Sequence, residues 1–138
     1  MTTLPVRVFA AALPTGKKEA RVIVSTEITL PPEQLRQPDG RLADTLAHVL
    51  VAGDMNVGKS RKQVRRTIEF SGRPTNASAP AVFRIQSELE LRPGRYQIRS
   101  AVHSKTLQQG GASYLPLDVP DFRKDAAPPG NIVVMREA

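Results

Sequence analysis

Alternation of apolar and polar residues with period two runs through most of this chain. From Ala20 to Leu30 the even positions Val22, Val24, Ile28 and Leu30 are apolar, while Arg21, Ser25, Glu27 and Thr29 are polar; Ile23 is the exception. From Val82 to Leu91 the phase is equally regular. Phe83, Ile85, Leu89 and Leu91 point one way, and Arg84, Gln86, Glu88 and Glu90 the other. Wound as a helix, that stretch would mix charge and apolar groups on one face. It predicts a strand with one wet side.

Six further segments predict strands less cleanly: 4–12, 45–54, 62–70, 95–104, 112–119 and 131–136. The 45–54 run, with Leu46, Val49, Leu50 and Val51, is apolar on both faces and predicts a central strand. Turn chemistry separates the segments: Pro31-Pro32, Pro38-Asp39-Gly40, Pro93-Gly94, Gly110-Gly111 and Pro128-Pro129-Gly130. Residues 71–81 form the longest polar loop, and Glu33–Arg36 suits a single helical turn. About eight short strands between turns predict one all-β domain over 4–136, an immunoglobulin-like antiparallel sandwich of two sheets.

Composition narrows the core. The 138 residues suit one domain, 40% hydrophobic and 24% charged. Four Phe, two Tyr and no Trp leave the interior to Val, Ile, Leu and Ala. With no Cys, disulfides, thiol catalysis and sulfur-ligated zinc are excluded. No apolar run approaches the ~20 residues of a membrane-spanning helix. The start, Met-Thr-Thr-Leu-Pro, lacks the basic and apolar regions of a signal peptide, and the first strand begins almost at once. Such a start is compatible with a domain cut from a longer parent.

The formal charge is +7. Its densest group is Lys59, Arg61, Lys62, Arg65 and Arg66, which suits a solvated strand edge that resists edge-to-edge pairing. A polyanion contact is the rival reading. Nucleic acid is disfavoured, because no aromatics are interleaved with the charge.

Residues 53–60, GDMNVGKS, satisfy the phosphate-loop pattern G-x-x-x-x-G-K-S, with Lys59 and Ser60 in the phosphate and magnesium positions. A phosphate loop must open a helix. Here RKQVRRTIEF follows, in which Val64, Ile68 and Phe70 alternate with polar residues. A second long helix is missing, and the acidic strand end at Leu115-Pro116-Leu117-Asp118 carries a proline. A hairpin turn at Asp54–Gly58 is the expected structure, and a nucleotide hydrolase the disfavoured alternative. Asp54-x-Asn56-x-Gly58 falls short of a calcium loop, whose glycine would come one place later. Asp118 and Asp121 are candidates for a shallow calcium site. His48 and His103 stand singly on strands, and Asn76-Ala77-Ser78 is a formal glycosylation triplet. No catalytic set, cofactor site or metal set emerges, so the expectation is a non-enzymatic chain.

The segment LRPGRYQIR, 91–99, has the form of a tyrosine corner. Pro93 and Gly94 make the turn, and Tyr96 at the next strand start sends its hydroxyl back to the preceding connection. Further on come a Gly-Gly-Ala-Ser-Tyr segment and LDVPDF. Together with PGRYQIRSAVH, the early LPVRVFAA and a mid-chain Asp-x-x-x-Gly-Lys turn, these resemble the C-terminal region of the von Willebrand factor A-related proteins of Acidobacteria. The resemblance covers about 4 to 136. In that family a signal sequence and an A-type domain come first, and neither stands in this sequence, nor does the Asp-x-Ser-x-Ser metal motif. The resemblance implies an accessory module of a larger secreted or envelope protein and carries over no site residues. The expected role is a structural or protein-interaction module, with a protein partner that the sequence does not name.

Overall fold

The computed structural model describes residues 3–55, 61–73 and 81–123, and the backbone of a last strand at 132–137. Its elements are β1 (Val6–Leu13), β2 (Ala20–Leu30), α1 (Pro32–Leu35), β3 (Leu42–Asp54), β4 (Arg61–Gly72), β5 (Ala81–Leu91), β6 (Gly94–Ser104), β7 (Gln109–Val119) and β8 (Ile132–Glu137). Each segment with period-two patterning is a strand, and the proposed helical turn is α1.

The strands form two antiparallel four-stranded sheets, in the orders β5-β2-β1-β8 and β4-β3-β6-β7. The chain makes hairpin β1–β2 in the first sheet and crosses to the second for hairpin β3–β4. It then returns with β5 beside β2, crosses again for hairpin β6–β7, and comes back with β8 beside β1. This is an immunoglobulin-like β-sandwich with Greek-key connections.

The pleat sends alternate side chains inward. Val6, Val8, Val22, Val24 and Ile28 of the first sheet face Leu46, Leu50, Ile98 and Leu115 of the second, and all are fully buried. Tyr96 is the one Phe, Tyr or Trp among the buried described residues. Proline at its first turn presets α1, whose Leu35 is fully buried. The doubly apolar run is β3, flanked on both sides by strands. Pro116, which has no N–H to offer a ladder, lies in edge strand β7.

The Gly-Gly pair departs from the expectation. Gly110 and Gly111 lie inside β7, paired with His103 and Val102, and the turn that precedes them ends at Gln108, whose φ is 53°. Close approach is what requires these glycines. A Cβ on Gly111 would stand 2.1 Å from the Leu4 carbonyl oxygen, and one on Gly110 would stand 2.7 Å from that of Val102. The Leu4 amide donates to the Gly110 carbonyl at 3.1 Å, which closes that side of the sandwich. The opposite side, between edge strands β4 and β5, is closed by Phe70 stacked on Phe83 at 4.7 Å.

Candidate functional site

Four places in the described structure gather polar chemistry. The first is the corner before β6. Gly94 adopts φ 158°, a conformation L side chains rarely take, and the turn delivers Tyr96 under the sheet. Its hydroxyl donates to the Arg92 carbonyl at 2.8 Å. Burial, and then the charge of Asp54, push the phenol upward from its ordinary pKa. The group is a structural tie.

The second is a chain of hydrogen bonds between the sheets. Thr26 of β2 and Ser100 of β6 meet at 2.7 Å through their hydroxyls, and His48 Nε2 lies 2.8 Å from Ser100 Oγ. His48 is 1% exposed and Ser100 and Thr26 are fully buried. Burial, then the positive charge of Arg66, lowers the imidazole to about 4, so it is neutral near pH 7. A Ser–His pair invites comparison with a nucleophile and its base. Here Nδ1 has no hydrogen-bond partner, so no acid orients the ring, and the hydroxyl is walled from solvent. What the geometry supplies is a buried polar tie between the two sheets.

The third place is Asp44, which pins the β6–β7 turn. Its carboxylate accepts from the Thr45 amide at 2.7 Å, the Thr106 amide at 3.1 Å and the Ser104 hydroxyl. A recess of about 510 Å³ opens beside it, lined also by Glu69, Ser71 and Gln37. Asp44 is committed to the turn.

The fourth is the outer face of the second sheet. Register aligns Arg65, Val49, Ala101 and Ala112 in one row across β4, β3, β6 and β7. The adjacent row is Gln63, Val51, Arg99 and Tyr114, and on the other side lie Thr67, Ala47, His103 and Gly110. Small residues in the middle leave a shallow groove of about 370 Å³, lined by Ala47, Val49, Ala101, Ala112, Arg99 and His103. At its rim Tyr114 is 48% exposed, with the Arg99 guanidinium 5.8 Å from its ring centre and Arg99 Nε donating to its hydroxyl at 3.2 Å.

The two outer faces treat charge differently. On the first sheet Arg21 meets Glu88 at 2.5 Å, while Arg84 and Arg7 meet Glu27 at 3.0 and 3.9 Å. On the second, Arg95 is matched by Asp118 at 3.2 Å. Arg65 and Arg99 have no carboxylate within 4 Å among the described residues.

The pleat divides the basic cluster. Arg65 points outward beside Val49, whereas Arg66 turns to the other sheet, donating to the Gln86 carbonyl at 2.7 Å and to the Ser87 hydroxyl. Lys62 is exposed on the same edge strand; Lys59, Ser60 and the Arg61 side chain lie outside the described residues. The segment after the phosphate-loop pattern is β4, antiparallel to β3, in place of the helix such a loop opens. Of the expected hairpin turn, Asn56–Gly58 lie outside the described residues, as do residues 76–78. Asp118 faces Arg95, and Asp121 accepts from the Arg123 amide at 3.1 Å, so the two acids serve different partners. Among the described residues no group of three or more His, Asp or Glu could hold a metal ion, and no helix is long and apolar enough to cross a membrane.

Sequence reasoning singled out neither the groove nor its rim. The signals were present in the double apolarity of 45–54 and in Tyr114, which is out of phase with Leu115, Leu117 and Val119. Fold and faces together define the class, an immunoglobulin-like sandwich whose second outer face carries two arginines, Arg65 and Arg99, with no carboxylate within 4 Å among the described residues. Compared with models of protein families, with curated proteins and with solved structures, the chain matches none.

Proposed function

We propose that this chain is a non-enzymatic protein-interaction module that receives its partner on the outer face of the β4-β3-β6-β7 sheet. The observation that carries the reading is the Tyr114–Arg99 pair beside a floor of small apolar residues, Ala47, Val49, Ala101 and Ala112. Tyr and Arg are enriched where interfaces concentrate their binding energy. A floor without long side chains lets a partner approach the sheet closely. The buried His48–Ser100 pair and the committed Asp44 account for the chemistry elsewhere. Placement within a larger secreted or envelope protein rests on the resemblance to the Acidobacteria proteins.

Site-specific photo-crosslinking tests the reading. A benzophenone side chain at position 114, in cells that make the protein, is expected to give a discrete adduct. The same probe at Gln86, exposed on the first sheet, serves as control. Equal labelling from both positions, or none from 114, overturns it.

A further inference from the structure

We propose that the second sheet's outer face takes an acidic, partly apolar protein segment, with Arg65 and Arg99 receiving its carboxylates and the apolar strip of β3 between them, Val49 and Val51, receiving an apolar side chain. This deepens the interaction reading above and rests on it.

The argument starts from charge. The chain carries +7, yet the first sheet's outer face matches Arg21, Arg84 and Arg7 with Glu88 and Glu27. The second matches Arg95 with Asp118 and leaves Arg65 and Arg99 with no carboxylate among the described residues. The two lie on either side of β3, Arg65 in register with Val49 and Arg99 with Val51. Glu69, also on this face, is two rows from Val49, in register with Thr45. Arg99 uses Nε to bond the Tyr114 hydroxyl, which fixes its plane and leaves both terminal amines to fork a carboxylate. A basic partner would meet unmatched arginines, and a wholly apolar one would bury them without counter-charge.

Spacing sharpens the occupant. Arg65 and Arg99 are two strands and one row apart, which puts their Cα atoms about 11–12 Å from each other at ordinary sheet spacings. On an extended peptide, residues four apart are about 13 Å from each other and share a face. The pattern carboxylate-x-apolar-x-carboxylate therefore spans both arginines and sets its central side chain over β3 between Val49 and Val51, at the margin of the groove.

The test is a titration of the isotopically labelled chain with acetyl-Glu-Thr-Leu-Thr-Glu-amide, followed by amide NMR shifts. The expected result is saturable shifts at Val49, Val51, Arg99 and Tyr114. Arg99→Gln and Arg65→Gln should each weaken binding about tenfold or more, the loss of one charge-assisted hydrogen bond. Both sites are exposed, and amide dispersion verifies folding of each variant. Absent saturation, shifts centred on another surface, or equal binding of acetyl-Lys-Thr-Leu-Thr-Lys-amide overturn the proposal. If the position-114 adduct still forms while the acidic peptide fails, the partner's chemistry is refuted and the interaction reading stands; loss of both refutes both.

Discussion

The Tyr96 hydroxyl reaches four residues back along the chain and donates to the Arg92 carbonyl at 2.8 Å. That bond clamps the β5–β6 connection onto the strand that follows it. Tyr96→Phe removes only the hydroxyl and leaves the carbonyl without this donor, so a loss of about 1–2 kcal/mol is expected. Tyr96→Ala also removes a ring that is 6% exposed, at about 3–5 kcal/mol. Urea unfolding of both variants separates the contributions. A Phe variant as stable as the parent would show that the bond adds nothing.

Stability should fall in mild acid because of His48. Its folded pKa, about 4, lies below the ordinary 6.5, so below pH 6.5 the unfolded chain binds a proton that the folded chain refuses. The neutral ring's contribution is complete above pH 6.5 and is lost as pH falls toward 4, by about 3 kcal/mol in all. Denaturant midpoints at pH 7, 5.5 and 4.5 for the parent and His48→Gln check this. The variant should lose less between pH 7 and 4.5, and equal losses would count against it.

Gly111→Ala should be costly in a strand where alanine is otherwise harmless. The new methyl would stand 2.1 Å from the Leu4 carbonyl and 2.8 Å from Val6 Cγ2, forcing the first strand away from β7. A loss of about 1–3 kcal/mol or more is expected from such overpacking. Gly72→Ala meets nothing within 4 Å and should stay within about 0.5 kcal/mol of the parent. Thermal unfolding of the two, side by side, makes the comparison.

Arg66 guards an edge. By bonding the Gln86 carbonyl it occupies a main-chain acceptor on edge strand β5 that another strand would otherwise seek. Arg66→Ala should cost about 1 kcal/mol and raise concentration-dependent association in light scattering. Arg65→Ala removes the same charge and leaves β5 untouched. Equal association in both variants would trace the effect to net charge.

Much of the architecture was legible because it is local. Alternation belongs to successive residues, so the phases of β2 and β5 follow from their own side chains whatever they pack against. The corner could be read for the same reason, since Pro93, Gly94 and Tyr96 lie within a few residues of the carbonyl they serve. Pairing across the fold is of another kind. Thr26 and Ser100 are 74 positions apart, and no local pattern says they will meet. Gly110-Gly111 looks like a turn to any local reading, and its purpose is visible only once Leu4 crosses it. Likewise Lys62, Arg65 and Arg66 form one cluster along the chain, but the pleat sends Arg65 outward and Arg66 across to β5. The groove draws its lining from three strands, β3, β6 and β7, and strand order depends on the free energy of packing two whole sheets. The residues therefore dictated the strands, their inner faces and the corner. Which strands became neighbours, and so where a partner can sit, was decided by long-range pairing that no short stretch of sequence encodes.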